Sequence, residues 1–294
     1  MTNSTGVDPS VQLFQLILYI PTFIFGLIFN TLAMWMLFFR IKKWMEATVY
    51  MAALIVFDSL LLITLPFKIR AYYVGDGWKL GFGVCTFLES LYFVNVYGSL
   101  LTSVCICVDR YIAIQYPFYS KVLRSPMKAT VVCVLVCIVV WGASIGFFIR
   151  LREAAATHCF YGFSSRTWSS KSLVIIIETA FLFSAALLIV CTTLTIRTLK
   201  KKARANLSNP TEMKAIKVLV ANMVTFIVSF LPFHVSLLLY HLVKNNFISQ
   251  DYANPLRIFI QVSLCLSNIN CFLDGVCYYC ILKEFVKSTN KSPE

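Results

Sequence analysis

Two carboxylates lie in the middle of long apolar stretches, where a charge is costly. Asp58 is part of LIVFDSLLL, and Asp274 is part of NINCFLDGVCYY. An ionisable residue at the centre of a membrane span costs about 2.5–3.5 kcal/mol on insertion scales, so it suggests a function. Carboxylates that meet can share a proton or a cation, and sodium suits oxygen ligands. One hypothesis is therefore a sodium site with these ligands: Asp58, Ser99, Asn270 and Asp274. The alternative is that these side chains only form hydrogen bonds between helices.

Residues for enzyme catalysis are sparse in this chain. It has three histidines and no HExxH motif, so no metalloprotease is indicated. A proton relay through Asp58 and Asp274 would make the chain a transporter. Transporters typically contain inverted repeats and broken helices, and the sequence shows neither. A transporter is therefore kept as an alternative, and we predict that the protein is not an enzyme.

The composition indicates that lipid is the solvent of most of the chain. Of its 294 residues, 59% are hydrophobic and 13% are charged, whereas soluble domains are typically about half apolar and about a quarter charged. A helix needs roughly 20 apolar residues to cross a bilayer. Seven such stretches occur, at residues 13–39, 48–72, 84–114, 126–149, 172–196, 215–243 and 256–281. Because only helices satisfy their backbone within one segment in lipid, we predict an all-α membrane protein, a seven-transmembrane helix bundle over residues 13–281.

The distribution of Lys and Arg predicts the orientation of this bundle. One side of the membrane carries 17 of the 26 basic residues, and that side should be cytoplasmic. Residues 1–12 then form an extracellular N-terminus and residues 282–294 a cytoplasmic tail. The sequon at Asn3 would be outside, where it can be glycosylated. Cys85 and Cys159 are the only cysteines near the outer face, and the oxidising exterior favours a disulfide between them.

The third span ends with Asp109-Arg110-Tyr111 and then Pro117, and this pattern is one of a series. Gly26 to Asn30, Leu54 to Asp58, Phe226 to Pro232 and Asp274 to Tyr278 follow on the appropriate spans. Together these motifs resemble those of class A (rhodopsin-like) G-protein-coupled receptors over essentially the whole chain. Gly275 replaces the usual proline of the seventh helix, where a kink would depend on glycine flexibility instead. The resemblance also implies a short cytoplasmic helix after the seventh span.

Shorter stretches narrow the resemblance to one branch of this family. LYFVNVYGS, LRSP, SFLPFH, SNINCFLDGVCYY and KEFV are similar to the branch whose receptors respond to lysophosphatidylinositol or to kynurenate. The resemblance implies a protein of the plasma membrane that couples to a heterotrimeric G protein and can bind arrestin. No nucleic-acid partner is indicated.

The resemblance also implies how the cytoplasmic face works. Asp109, Arg110, Tyr111 and Tyr278 would control the inner mouth of the bundle, with Arg110 at its centre. Glu212, near the inner end of the sixth helix, is the predicted partner of Arg110 in a latch that favours the closed state. An exposed pair of this kind contributes about 0–1 kcal/mol, so the latch would only adjust basal activity. Alternatively, Glu212 is simply a solvated charge at the start of a helix.

The outer ends of the spans predict an anionic ligand. Nine basic and six acidic residues lie there, and Lys68 is the one placed well inside the second helix. Lys68 is thus the predicted partner of a phosphate or carboxylate, unless it only extends to the membrane interface. Glu89 is expected to pair with Lys68 or to receive ligand hydroxyls. An aromatic pocket under a basic rim suits a lysophosphatidylinositol-like lipid; a small carboxylate or a nucleotide is the alternative. The other predicted ligand-binding residues are Tyr92, Phe93, Tyr97, Phe230, Phe233, His234 and Arg257.

Overall fold

The computed structural model describes residues 9–41, 44–74, 78–151, 159–160, 171–205 and 210–289. Side chains are described in these ranges except at 72–74, 121, 147–151, 210–218 and 284–289. Within them the chain forms α1 (Pro9–Phe39), α2 (Glu46–Val74), α3 (Gly81–Gln115), α4 (Pro117–Leu123), α5 (Pro126–Leu151), α6 (Lys171–Arg204), α7 (Pro210–Lys244) and α8 (Ala253–Thr289). A single 3₁₀ turn, Gln250–Tyr252, precedes α8.

Seven of these helices are long and apolar enough to span a membrane, and only the short α4 is not among them. This number and the absence of strands from the described ranges confirm the predicted all-α bundle. Large apolar side chains on α1, α5 and α6 are exposed, among them Phe38, Ile138 and Phe183. In lipid such surfaces need no partner, whereas in water they would be costly. The residues expected to form a short helix after the seventh span belong to α8, which continues without a break to Thr289.

α3 occupies the centre of the bundle and packs against α2, α4, α5, α6 and α7. α1 packs mainly on α8, which closes the ring of helices. One core cluster includes Leu65, Tyr92, Phe181 and Phe233, and a second one includes Tyr50, Ile106 and Tyr278. The sites described below lie along these contacts between helices.

Two prolines separate α3, α4 and α5 at the end of the third span. Pro117 is in the first turn of α4 and Pro126 is the first residue of α5. Proline disfavours helical geometry in the residue before it, and Tyr116, with φ −127° and ψ 65°, breaks the helix accordingly. The chain therefore turns just after Asp109-Arg110-Tyr111, and the turn brings Arg124, which follows α4, back towards α3.

Gly275 allows α8 to approach α1 closely. A Cβ atom at this position would lie 2.9 Å from Asn30 Nδ2 and 3.2 Å from Phe29 Cβ. Such distances are too short for a carbon atom at normal packing density. The glycine that stands in place of the usual proline thus has a packing reason, which the sequence prediction of a flexible kink did not include.

Candidate functional site

Lys68 is buried in the bundle with aromatic rings around its ammonium group. Its side chain is 7% exposed, and Nζ lies 4.5 Å from the ring centroid of Tyr92, 4.9 Å from that of Tyr19 and 5.9 Å from that of Phe160. Cations within about 6 Å of an aromatic centroid are attracted by the ring. Among the side chains that the structure describes, no carboxylate lies within ion-pair distance of Lys68. The site therefore holds a buried positive charge that has Glu89 as an electrostatic neighbour but no carboxylate in direct ion-pair contact among the described residues.

Tyr92 is held in place below Lys68 by α8. Its hydroxyl donates to the carbonyl of Leu264 at 3.2 Å and lies 3.3 Å from Ser267 Oγ. On its other side, the ring contacts Phe93 edge-to-face with centroids 5.9 Å apart. These contacts fix the ring that forms the shortest contact with the ammonium group. The predicted ligand residues Lys68, Tyr92 and Phe93 thus belong to one connected group from α2 and α3.

Glu89 binds the backbone of Phe160, the residue that follows the disulfide-bonded Cys159. Cys85 and Cys159 form the predicted disulfide, with Cα atoms 5.6 Å apart. The backbone N–H of Phe160 donates to Glu89 Oε1 at 2.9 Å, and the Phe160 ring also contacts Trp78 edge-to-face. The sequence analysis expected Glu89 to pair with Lys68 or with ligand hydroxyls. Glu89 is an electrostatic neighbour of Lys68, and it also positions Phe160; its role towards a ligand stays a prediction. Its closeness to both sulfurs does not form a metal site, since disulfide sulfurs are not thiolate ligands.

His234 contributes to a second polar position, between α6 and α7. It is 1% exposed, and its Nδ1 lies 3.2 Å from Glu178 Oε1. The ring stacks on Phe181, with centroids 3.8 Å apart, and also contacts Phe233. This is the contact between helices that the sequence analysis left open as an alternative to ligand binding. Glu178 was not predicted, although its position in an apolar span was a signal.

The remaining predicted ligand residues are spread over α3, α7 and α8. Phe93 and Tyr97 stack with centroids 6.3 Å apart, and Phe230 is buried against Phe226. Arg257 is half-buried near the outer start of α8. It makes no hydrogen bond or ion pair with the part of the chain that the structure describes. The predicted aromatic residues therefore pack within or against one core cluster, and the role of Arg257 stays a prediction.

Asp58 accepts two hydrogen bonds from α3. Its Oδ1 receives Asn95 Nδ2 at 3.2 Å and Ser99 Oγ at 3.4 Å, and the residue is completely buried. Its Oδ2 has no partner among the described groups. Sequence reasoning chose Ser99 but missed Asn95. Asn95 precedes Ser99 by one helical turn, so the i, i+4 spacing was a usable signal.

Asp274 and Asn30 complete this polar region. Asn270 Nδ2 donates to Asp274 Oδ2 at 2.6 Å, and Asp274 is an electrostatic neighbour of Asp58. Asn30 Nδ2 donates to the carbonyls of Gly26 and Cys271, at 3.0 and 2.9 Å, which leaves its Oδ1 without a described partner. Unpartnered, buried oxygens of this kind fit a hard cation.

The cytoplasmic end of α3 carries an ionic cluster that includes two arginines. Arg110 Nη2 contacts Asp109 Oδ2 at 2.9 Å. Arg124 binds both oxygens of Asp109, with Nε 2.7 Å from Oδ1 and Nη2 2.9 Å from Oδ2. Arg124 Nη2 also lies 3.2 Å from Glu46 Oε2. The sequence analysis predicted a role for Asp109 and Arg110 but gave none to Arg124 or Glu46, because they are distant in sequence.

The other predicted activation residues with described side chains are Tyr111 and Tyr278, and each contacts aromatic or apolar neighbours. Tyr111 contacts Tyr116 edge-to-face, with centroids 6.0 Å apart. Tyr278 is buried in the cluster with Tyr50 and Ile106. The side chain of Glu212 and the residue Asn3 lie outside the described part of the chain, so the predicted latch and glycosylation remain predictions.

Comparison with known proteins adds relatives to this geometry. Residues 29–278 match the family model described as 7 transmembrane receptor (rhodopsin family). G-protein coupled receptor 55 of Mus musculus is 36% identical, over 95% of this chain and 89% of that receptor. Lysophosphatidic acid receptor 4 of Homo sapiens is 34% identical over 92% of this chain and 75% of that receptor. Lysophosphatidic acid receptor 6 of Gallus gallus is also 34% identical, over 91% and 88%.

Proposed function

Because this chain belongs to the rhodopsin family of seven-transmembrane receptors, we propose that it binds an anionic lysophospholipid and in response activates a heterotrimeric G protein. Family membership makes the chain a multi-pass receptor of the plasma membrane and not an enzyme. The proposal concerns what the receptor recognises and what it activates. The proposal also includes the orientation of the chain: the N-terminus is extracellular, Asn3 carries a glycan, and the ligand enters from outside.

The observation that carries the ligand proposal is the burial of Lys68 without a direct counter-ion. Burying a charge is expensive unless it is paired, and the three aromatic rings compensate only part of this cost. An anionic head group at Nζ would supply the missing partner in a charge-assisted contact. Two of the similar receptors carry lysophosphatidic acid in their names, and this supports a phosphate-bearing lipid.

The predicted aromatic residues support a ligand with an apolar part. Phe230 and Phe233 are buried in the same core cluster as Tyr92, and Phe93 and Tyr97 pack against that cluster. Ligand pockets are mostly apolar, with a few polar groups that orient the ligand. Here Lys68 would bind the polar head, and the apolar side chains would contact the acyl chain. The ligand class we propose is therefore a lysophospholipid, with lysophosphatidylinositol as the first probe.

Signalling in this proposal is a shift between two arrangements of the bundle. A ligand shifts such an equilibrium only by its differential affinity for the two states. Pro232 interrupts the hydrogen-bond ladder of α7, so the segment on its cytoplasmic side can swing outward. Arg110 is then the cation at the inner mouth that meets the G protein, and arrestin would compete for the same surface.

A lipid series tests the ligand class. Cells that express this chain receive lysophosphatidylinositol or lysophosphatidic acid with progressively shorter acyl chains, and G-protein activation is measured. Each buried CH₂ contributes about 0.8 kcal/mol, so removal of four carbons should lower potency on the order of a hundredfold. Potency that is independent of chain length, or a response only to small carboxylates or nucleotides, would contradict a lipid receptor and support the alternative ligands.

Sodium is proposed as a modulator at Asp58 and Asp274. The support is chemical: two buried carboxylates, the hydroxyl of Ser99, the amide of Asn270 and the unpartnered Oδ2 of Asp58 are hard oxygen ligands in one polar region. When bound, the ion would supply positive charge that stabilises both carboxylates in their ionised form. The chain's own residues hold these carboxylates in place through Asn95, Ser99 and Asn270.

A further inference from the structure

The second arginine in the cytoplasmic ionic cluster changes how Asp109 is neutralised. Asp109 is 7% exposed, so its charge is largely shielded from water. Arg124 binds it through two nitrogens, Nε at 2.7 Å and Nη2 at 2.9 Å. Arg110 reaches it through Nη2 alone, at 2.9 Å. Paired contacts between a guanidinium and a carboxylate are the stronger and more directional form. Asp109 is therefore held more firmly by Arg124 than by its neighbour in sequence.

Arg124 is itself fixed by a third contact and by the chain around it. Glu46, at the start of α2, receives Arg124 Nη2 at 3.2 Å. The backbone N–H of Arg124 donates to the carbonyl of Ser120 at 2.9 Å, which closes the last turn of α4. Both ion-paired side chains are mostly buried, at 17% and 18% exposed. Partly buried pairs are less screened by salt than exposed ones, so this arrangement can persist when Arg110 moves.

Two acids and two arginines make the cluster neutral, and this has a consequence for Arg110. A buried carboxylate that loses its partner is left as an uncompensated charge. If Arg110 were the only partner of Asp109, its departure would leave Asp109 as an uncompensated charge. The cost of that state would oppose the movement of Arg110. With Arg124 in place, Asp109 keeps two charge-assisted hydrogen bonds after Arg110 has left.

We propose that Arg124 is a positioning residue that takes over as counter-ion of Asp109 and thereby frees Arg110 to engage the cytoplasmic partner. This inference rests on the proposed function, in that the partner is a G protein. It assigns Arg124 to the active arrangement, and it makes Glu46 the group that keeps Arg124 in reach of Asp109. The fixed Arg124 also connects α4 to α2 and α3, so the turn after the third span stays in place.

The experiment is a double-mutant cycle in the full chain, read as basal and ligand-stimulated G-protein activation at equal surface expression. Arg124→Gln should lower activation about tenfold, within the usual range of coupling between sites. In an Asp109→Asn background there is no carboxylate to leave unpaired, so Arg124→Gln should have almost no further effect. Arg124→Lys, which keeps the charge but loses the paired geometry, should fall between Gln and wild type.

Lys128→Gln is the matched control for loss of positive charge on this face. Lys128 lies in the first turn of α5, four residues after Arg124; its side chain is exposed, and its Nζ donates to the carbonyl of Val122 at 2.6 Å. This substitution should leave activation unchanged. The same tenfold loss in both backgrounds, or an increase in activity on Arg124→Gln, would overturn the proposal.

A second readout separates failure of this inference from failure of the proposed function. If the wild-type chain activates no G protein, four proteins are purified and their thermal unfolding is measured: the wild type, Arg124→Gln, Asp109→Asn and the variant that carries both substitutions. The losses of thermal stability caused by Arg124→Gln and Asp109→Asn should then not add in the double variant, because each substitution removes the same contacts. Additive effects on thermal stability would overturn the inference independently of any G protein.

Discussion

The ammonium nitrogen of Lys68 lies 4.5 Å from the ring centroid of Tyr92, and the Tyr92 hydroxyl is hydrogen-bonded to α8. This relationship joins three helices, because Lys68 is on α2, Tyr92 is on α3 and the Leu264 carbonyl is on α8. A ligand anion at Lys68 would therefore meet a charge whose position depends on all three. The pocket and the packing of the bundle are linked through one pair of residues.

The two functions of Tyr92 can be separated by substitution. Tyr92→Leu removes the ring under the ammonium group, and we expect ligand potency to fall several-fold, since a cation–π contact contributes about 0.5–2 kcal/mol. Tyr92→Phe keeps the ring and loses only the hydroxyl contacts, so its effect should be smaller. The measurement is G-protein activation at matched surface expression, and equal effects of the two substitutions would contradict a role for the ring.

Glu89 is expected to act through the backbone of Phe160. Glu89→Gln retains an oxygen that can accept the Phe160 N–H, which lies 2.9 Å away, so potency should stay near that of wild type. Glu89→Ala removes the acceptor, and loss of a hydrogen bond to a charged group costs about 1.5–3 kcal/mol, or about tenfold or more in potency. If Gln and Ala lower potency equally, the charge of Glu89 acts directly on the ligand or on Lys68 instead.

Gly275→Ala should destabilise the receptor without touching the ligand pocket. The added Cβ would lie 2.9 Å from Asn30 Nδ2, and forced overpacking typically costs about 1–3 kcal/mol. Thermal unfolding of the purified protein should shift to lower temperature. Gly142→Ala on α5 is the matched control, because a Cβ there meets no atom within 4 Å. A similar shift for both variants would show that the contact between α1 and α8 is not the cause.

Sodium dependence should require Asp58. Exchange of sodium for an organic cation at constant ionic strength should change agonist potency in wild type, because one hard cation is removed while screening stays the same. In Asp58→Asn the ligand charge is lost, and the dependence on sodium should disappear. A wild-type response that does not depend on sodium would contradict the site, as would a response that persists unchanged in Asp58→Asn.

The spans of the bundle were predictable because hydropathy and length alone define a membrane helix. The same holds for the disulfide, since Cys85 and Cys159 were the only cysteines near the outer face. The position of Lys68 inside the bundle was also predictable, because a cation inside an apolar helix is conspicuous. These are properties of single segments, and they do not depend on how the helices are arranged.

Partners between helices were harder to predict, because periodicity gives the face of a residue but not what it meets. Arg124 lies 78 positions from Glu46, and no sequence pattern links them. Phe160 is placed near Lys68 by contacts that no local pattern shows: the disulfide, the hydrogen bond to Glu89 and the ring contact with Trp78. Asn95 could have been found from its spacing to Ser99, whereas the closeness of Gly275 to Asn30 depends on the full packing of α1 against α8.

The most direct test of the account is lysophospholipid activation with the charge at Lys68 removed. Lys68→Ala and Arg70→Ala are compared at equal surface expression; Arg70 has the same charge on the same helix but is exposed. We predict that Lys68→Ala lowers potency about ten- to a hundredfold, as expected for loss of a buried charge-assisted contact, and that Arg70→Ala does not. Unchanged potency in Lys68→Ala, or an equal loss in both variants, would contradict the claim that Lys68 binds the anionic head group.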